Sequence, residues 1–329
     1  VEKDSTIMRN LLCKQLDIQY PIIQGGMGNI SPVSLCIAVS QAGGLGQIGV
    51  GTSSLEVVED KLSKVKEAVS ERPFGVNIPI SVHPDVSGVI ELVKQYNAPV
   101  VSLSAGNPKP WIPSLKEQGV KVLVVVSTVS QARKAAQAGA DIIVAEGFEA
   151  AGKNSPKELT TMTLIPQVVS AVEVPVIAAG GIGDGKGLLA ALSLGASGVQ
   201  LGTRLVATQE AQVHQAYQQA MVKANDEDTL VLGRSYGFVT RVLNVPYTSA
   251  LYQQERTGLS KEEWLEYLNE DRHHRGAILG HLDQGHVNAG QIVGEIHDVP
   301  TVAELFERMM REAKQQHHQL HAFLNKEEE

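Results

Sequence analysis

At 329 residues and 43% hydrophobic content the chain can bury a large core, so it needs neither disulfides nor metals to fold. Its two cysteines, Cys13 and Cys36, make no disulfide framework and lie in no zinc-site spacing, and a reducing cytoplasm is the expected compartment. A formal net charge of -8, with 4% aromatics against 31 glycines, argues against nucleic acid and anionic lipid as partners and directs attention to a small-molecule site.

The charged opening Val1–Thr6 leads into no apolar run of signal-peptide length, and no stretch reaches membrane-span length. Eight short runs rich in Val and Ile then follow: Pro21–Met27, Leu45–Val50, Phe74–Pro79, Pro99–Ser104, Lys121–Val126, Asp141–Gly147, Pro175–Gly181 and Gly198–Thr203. Runs that are apolar throughout are buried on both faces, and helix-length intervals between them mean parallel crossover connections. Eight such units predict a closed (β/α)8 TIM barrel with its active site at the strand C-termini. Two of the intervening helices have readable ends: Ser130–Ala138 stops at Gly139, and Lys186–Leu194 stops at Gly195.

After the eighth run the composition shifts toward Gln, Glu, Tyr, Arg and His, with helical stretches at Ala211–Ala224 and Lys261–Asn269. The pattern predicts a mainly helical lid over 209–286, covering the strand C-termini, inserted into a barrel formed by 1–208 and 287–329. The last barrel helix is expected over Val302–Lys314, and the polar tail from Gln315 to Glu329 as its solvated, fraying end.

Three motifs compete for a function. Gly44-Leu45-Gly46-Gln47-Ile48-Gly49 has dinucleotide spacing, but it enters a strand where the mechanism requires it to leave one, so it reads as a helix cap before a packed strand. Gly180 to Gly187 nearly matches a P-loop yet has Gly where a magnesium-binding Ser or Thr belongs. It offers instead a glycine turn opening a helix, whose N–H groups and positive end can face one phosphate, and with Gly202-Thr203 it occupies the usual phosphate cradle of a barrel. The histidines His273, His274, His281 and His286 lack metal-site spacing and read as surface or lid polarity, so no metal is expected. His83, before Pro84, and Ser104 lie at strand ends and are candidates for the substrate side.

Five segments, in this order, carry a resemblance: Pro21-Ile22-Ile23-Gln24-Gly25-Gly26-Met27-Gly28, Ala42 to Gly46, Gly75-Val76-Asn77, Glu146 to Gly152, and Ala178 to Arg204. Together they resemble the nitronate monooxygenases (2-nitropropane dioxygenases) and the related flavin-dependent enoyl-acyl-carrier-protein reductases. The resemblance implies FMN. It implies that Gly26, Met27 and Gly28 approach the isoalloxazine, that Asn77 and Glu146 hydrogen-bond the flavin with Ala151 nearby, and that Gly180, Gly181, Gln200, Leu201, Gly202 and Thr203 hold the phosphate.

The chain departs from that family after Gly152. Where the family usually carries a histidine acting as base or acid, this sequence has Lys153, which is protonated when solvated and is then a poor base. The implied function is an FMN-dependent oxidation of small alkyl nitronates by oxygen. The alternatives are an NADH- or NADPH-dependent FMN reductase of an enoyl thioester or a quinone, and a flavin-free barrel isomerase or synthase using the same phosphate cradle. A homo-oligomer is compatible with the sequence.

Overall fold

Residues 11–325 are described by the computed structural model, and each of the eight apolar runs is a strand in it. In chain order the strands are β1 (Ile22–Gln24), β2 (Gly46–Gly49), β3 (Phe74–Pro79), β4 (Val100–Ser104), β5 (Lys121–Val126), β6 (Ile142–Glu146), β7 (Gly152–Lys153), β8 (Val176–Ala179), β9 (Gly198–Leu201), β10 (Thr229–Leu232) and β11 (Thr240–Leu243). Eight of them form one parallel sheet in the order β1-β9-β8-β6-β5-β4-β3-β2. A parallel bridge between Ile23 and Leu45, with Leu45 N–H donating to Ile22 O at 3.0 Å, brings β2 back to β1 and makes the sheet a (β/α)8 barrel. The readings for Val1–Thr6 and for Lys326–Glu329 lie outside the described residues.

Local sequence accounts for the crossover helices. In Leu55–Val69 the buried positions Val58, Leu62, Val65 and Val69 recur at helical spacing, and charged residues fill the opposite face. Thr128 caps Val129–Gln137 by accepting from Gln131 N–H, and the helix ends before Gly139; Gly185–Ser193 likewise ends before Gly195. Within the Gly44–Gly49 segment Gly46–Gly49 is strand β2, buried at all four positions, as the packed-strand reading required.

By contacts the chain forms two compact units. The first comprises the residues up to 145 with 165–178 and 191–200, and the eight-stranded sheet supplies its core: Ile22, Ile23, Ile48, Val76, Val101, Leu123, Ile143, Ile177 and Val199 are all fully buried. At about 1.5–3 kcal/mol for each such side chain, this stripe of branched residues dominates the unit's stability.

The second unit comprises 146–164, 179–190 and the residues from 201 onward. Within it the segment 209–286 carries helices Gln215–Lys223, Pro246–Thr257, Lys261–Tyr267 and Glu270–Ala277, and also an element that the sequence reading lacked. Strands β10 and β11 pair antiparallel, and β11 pairs with β7 through Thr240 opposite Lys153 and Arg241 opposite Gly152. Leu232, Val242, Leu251 and Trp264 form a small core there, with Phe238 stacked on Trp264 at 5.3 Å between centroids. The final helix, Val302–Leu324, runs well past Lys314.

The histidine cluster needs correcting. His274 and His281 are exposed, but His273 and His286 are buried and stack with ring centroids 5.1 Å apart. Burial favours the neutral rings: it lowers the pKa of His273 and, with His273 as a neighbouring charge, takes that of His286 from 6.5 to about 3. The unfolded chain accepts a proton on His286 below 6.5 while the folded one refuses it until about 3, so stability is lost as pH falls through that window. Replacing His286 by Phe should flatten the acid side of the stability profile. Urea unfolding at pH 7 and pH 5, about half a unit above and about one and a half units below the histidine reference value, checks this, and an unchanged acid slope in the variant refutes it.

Candidate active site

The first unit contributes a group of polar side chains on its strands. Asn77, on β3 and 6% exposed, donates through Nδ2 toward Ser102 O, Ser102 Oγ and Ser104 Oγ, each at 3.3 Å. That fixes its amide. Gly26 lies directly on this amide: a Cβ there would fall 2.1 Å from Asn77 Cγ and Oδ1, so the position admits no larger residue. Met27 N–H donates to Ser31 Oγ at 3.0 Å, which shapes the Gly25–Gly28 turn.

Three buried glutamines in this unit carry amide atoms without a protein partner. Gln47 donates to Gln24 O at 2.6 Å and its N–H donates to Gln24 Oε1 at 3.1 Å, yet Gln24 Nε2 and Gln47 Oε1 are unpaired, as is Gln200 Oε1. Sequence reasoning named Gln200 but passed over Gln24 and Gln47, because a glutamine in a buried strand carries no motif. His83 has both ring nitrogens engaged: Nδ1 accepts from Asp85 N–H at 3.0 Å, so Nε2 carries the proton and donates to Ser53 O at 3.0 Å. It serves local backbone groups in this structure.

The second unit contributes the loop that follows β6 and the turns that follow β8 and β9. Glu146, the last residue of β6, is half-buried, and desolvation raises its pKa from 4.5 to about 7, so near neutrality its carboxyl can hold a proton or give one up. The loop beyond it is tied by Glu149. Both Glu149 carboxylate oxygens accept from Thr161 N–H at 2.9 Å, capping helix Thr161–Val169, and the Thr161 hydroxyl lies 2.9 Å from Gly180 O and 3.0 Å from Glu149 Oε2. Gly147 N–H donates to Ala179 O at 2.9 Å. Gly180 and Gly181 both have positive φ, +95° and +73°, and a Cβ on Gly180 would meet Gly147 O at 2.8 Å. Only glycine turns the chain there without strain.

The helix that opens after this turn does not present its free end, contrary to the sequence expectation. Gly187 N–H donates to Asp184 Oδ1 at 2.7 Å and Gly185 N–H to Glu312 Oε2 at 3.0 Å, so two carboxylates already occupy the N-terminus of Gly185–Ser193. What fits a phosphate in this unit is the Gly180-Gly181 turn and the Gly202-Thr203 turn. No side chain caps the latter, and Gly290 N–H donates to Thr203 Oγ1 at 2.9 Å.

Lys153 is exposed, with its backbone held in β7. Beside it Asn154 N–H donates to Val239 O at 2.7 Å, and Asn154 Nδ2 donates to Ala150 O at 2.8 Å. Phe148 lies under Arg241, whose guanidinium carbon is 4.5 Å from the ring centroid and whose Nε and Nη2 donate to Phe148 O at 3.2 and 3.1 Å. Arg241 was not anticipated, because its partner is distant in sequence.

A family model described as nitronate monooxygenase matches residues 9–87 and 80–312 of this chain. The chain belongs to the nitronate monooxygenase family. A probable nitronate monooxygenase of Staphylococcus haemolyticus is 31% identical over 349 aligned positions, covering 93% of this chain and 97% of the relative. Among solved structures, FabK of Thermotoga maritima is 37% identical with a TM-score of 0.91, covering 96% of this chain and 99% of FabK. A nitroalkane oxidase of Streptomyces ansochromogenes is 25% identical with a TM-score of 0.81, over 94% of this chain and 99% of the oxidase.

Membership implies a flavin, generally FMN, in an oxidoreductase. Each unit by itself has groups that suit one: the second a glycine turn closed to side chains for a single phosphate and the Glu146 carboxyl, the first an unpaired buried Gln200 oxygen and the Asn77 carboxamide, able to hydrogen-bond a heterocycle. Among the described residues no helix is long and apolar enough to cross a membrane, and no group of His, Cys, Asp or Glu is placed to hold a metal ion.

Two outcomes are expected. Gly181→Asp adds a side chain at φ +73° and a negative charge where the family resemblance puts the phosphate, and should yield folded protein without flavin, read as the flavin-to-protein absorbance ratio after desalting. Retention of flavin at the wild-type ratio refutes the cradle. For Glu146 the raised pKa means stability is lost as pH rises from 4.5 through about 7, because the unfolded carboxyl ionises first. Glu146→Gln should therefore stabilise the flavin-free protein above that window by up to about 3 kcal/mol and leave it unchanged well below. Equal stability gains at both extremes would show that the substitution acts through packing.

Proposed function

We propose that this FMN-dependent oxidoreductase oxidises small alkyl nitronates with oxygen, and that Lys153 is the group that selects their negative charge. The carrying observation is the exposed Lys153 ammonium, set by its β-pairing with Thr240 at the position where the family resemblance places a histidine. A solvated ammonium holds an anion and does not abstract a proton from carbon. A nitronate has already lost that proton, and a neutral nitroalkane has not.

The residues divide the work by chemistry. By the family resemblance, Gly26, Met27, Gly28, Asn77, Glu146, Ala151, Gly180, Gly181, Gln200, Leu201, Gly202 and Thr203 would hold FMN. When bound, FMN supplies the two-electron chemistry that no side chain here can supply. Asn77 presents an amide already fixed by three acceptors, and Glu146 offers a carboxyl that can donate or accept near neutral pH. Ser104 Oγ accepts from Asn77, which leaves its own hydroxyl proton for a substrate-side acceptor. Substrate selection is assigned to the 209–286 segment, whose strand β11 pairs with Lys153.

A second reading, NADH- or NADPH-dependent reduction of an enoyl thioester, is favoured by the 37% identity to Thermotoga FabK. Lys153 suits that direction too, because an ammonium can give a proton to an enolate.

Oxygen uptake separates the substrates. An alkyl nitronate should be oxidised at neutral pH, and its parent nitroalkane about 10²–10⁴-fold more slowly, the contribution of a missing positioned base. Lys153→His should raise the nitroalkane rate selectively, and Lys153→Ala should raise KM for the nitronate. Equal rates on both substrates in the unaltered protein would show that another base works here. Inactivity toward both, with flavin bleached by anaerobic NADH and recoloured by an enoyl thioester, would establish the second reading instead.

A further inference from the structure

We infer that Asn288 and His273 are positioning residues for Lys153: through Gly152 they hold strand β7, and with it the ammonium, where an anionic substrate meets it, so they govern substrate binding and not turnover. The inference rests on the nitronate reading above. It gives a role to side chains that no sequence motif marks.

Strand β7 is two residues long, and Gly152 within it has φ +72°, where no side chain of its own restrains the backbone. It needs support from outside. Apart from its chain neighbours, one group alone among the described residues comes within 4 Å of the place a Cβ would take on Gly152: the Asn288 carboxamide, whose Nδ2 lies 3.9 Å away. The same segment continues along the loop, since Gly290 N–H donates to Thr203 Oγ1 at 2.9 Å, Gln291 N–H donates to Glu149 O at 2.9 Å, and a Cβ on Gly290 would stand 3.3 Å from Ala151 N. Residues 288–291 thus line the loop from Glu149 to Gly152.

Asn288 is itself held from two sides. The hydroxyl of the fully buried Tyr217 donates to its backbone carbonyl, and Leu243 N–H donates to Val287 O at 2.8 Å, which ties the segment to the end of β11. Its side chain has one partner: Nδ2 donates to His273 Nε2 at 3.5 Å. An amide N–H needs a lone pair, so His273 accepts only as the neutral ring with its proton on Nδ1. Burial favours that form; His274 acts with it and Glu270 against it, and the ring of His286 stacks on His273. The arrangement is costly, because Asn288 Oδ1 and His286 Nδ1 are both buried without a partner. An apolar pair would fill the space with no unpaired polar atom. What imidazole and carboxamide add is direction: their hydrogen bond fixes the plane of the amide, and so the edge that Gly152 rests on.

The test is a double-mutant cycle with Lys153, read as KM and kcat for an alkyl nitronate in the flavin-loaded full chain. Asn288→Leu and His273→Leu should each raise KM about 3- to 10-fold, the net contribution of one hydrogen bond, and leave kcat within about two-fold. His273→Gln supplies an acceptor again and should return KM to the unaltered value. In the Lys153→Ala background neither leucine substitution should raise KM further. Asn288 is only half-buried, so its variant carries the test should His273→Leu not fold. Additive effects in that background, a KM unmoved by Asn288→Leu, or a fall in kcat as large as the rise in KM overturns the inference. Hydrogen exchange over residues 149–154 needs no turnover: it should quicken in both leucine variants and not in His273→Gln, and equal exchange in all of these proteins overturns the positioning. Failure of the unaltered chain to oxidise a nitronate would overturn the reading on which the inference rests, and exchange would then decide the positioning alone.

Discussion

The hydroxyl and amide of Thr161 hold the glycine-rich loops of the second unit together. Thr161 N–H is shared by the two Glu149 oxygens, and its hydroxyl, with one proton to give, stands between Glu149 and the Gly180 carbonyl. From this point the connections spread. Glu149 O accepts from Gln291 N–H at 2.9 Å, and Gly290 donates to Thr203, so the loop after β6, the turn after β8, the turn after β9 and the segment near 290 share one set of hydrogen bonds. Polar groups buried in such a network must all be satisfied together, which makes its geometry cooperative and hard to deform piecemeal. The Gly180-Gly181 turn, built of two positive-φ glycines, has little stiffness of its own and takes its shape from this network.

The legible parts of the sequence were those whose physics is local. A buried parallel strand writes itself as a short Val and Ile run, so all eight barrel strands could be placed, and Gly139 and Gly195 ended helices as expected. Interactions closed over long separations left no such trace. Glu312 caps the helix at Gly185 across 127 residues, and this removed the free helix end that the glycine motif promised. The strand pairing of Lys153 with Thr240 was invisible for the same reason, since β7 is two residues long and acquires its conformation from β11. Burial of His273 and His286 could not be read from four histidines in a polar segment. Nothing in that spacing says which pair turns inward.

Charge in the second unit is arranged by burial. Glu146 sits where desolvation favours its neutral form, and the His273–His286 pair is kept neutral in the same way. Arg204 is the buried exception, kept cationic by its carboxylate partner and by a guanidinium's reluctance to lose a proton. Lys153 has been left in water. A lysine pulled into the same apolar surroundings would lose its charge preference and approach the behaviour of a base.

In the proposed function that placement sets what kind of discrimination Lys153 makes. A histidine at the end of this loop would titrate near neutrality and could move a proton to or from carbon, so the enzyme itself would perform the ionisation that substrates require. An exposed ammonium cannot perform it, but it does attract an anion. The loop is nevertheless held as firmly as a catalytic loop needs to be, by Asn154 on Ala150 and Val239 and by Arg241 on Phe148. Rigid support under a group that cannot act as a base is what a binding role requires: the cost of ordering the loop is met in the free protein, and the charge is in place before the substrate arrives. Under the proposed nitronate reading, the step from histidine to lysine changes the criterion for entry from the acidity of a carbon to the charge that a substrate already carries.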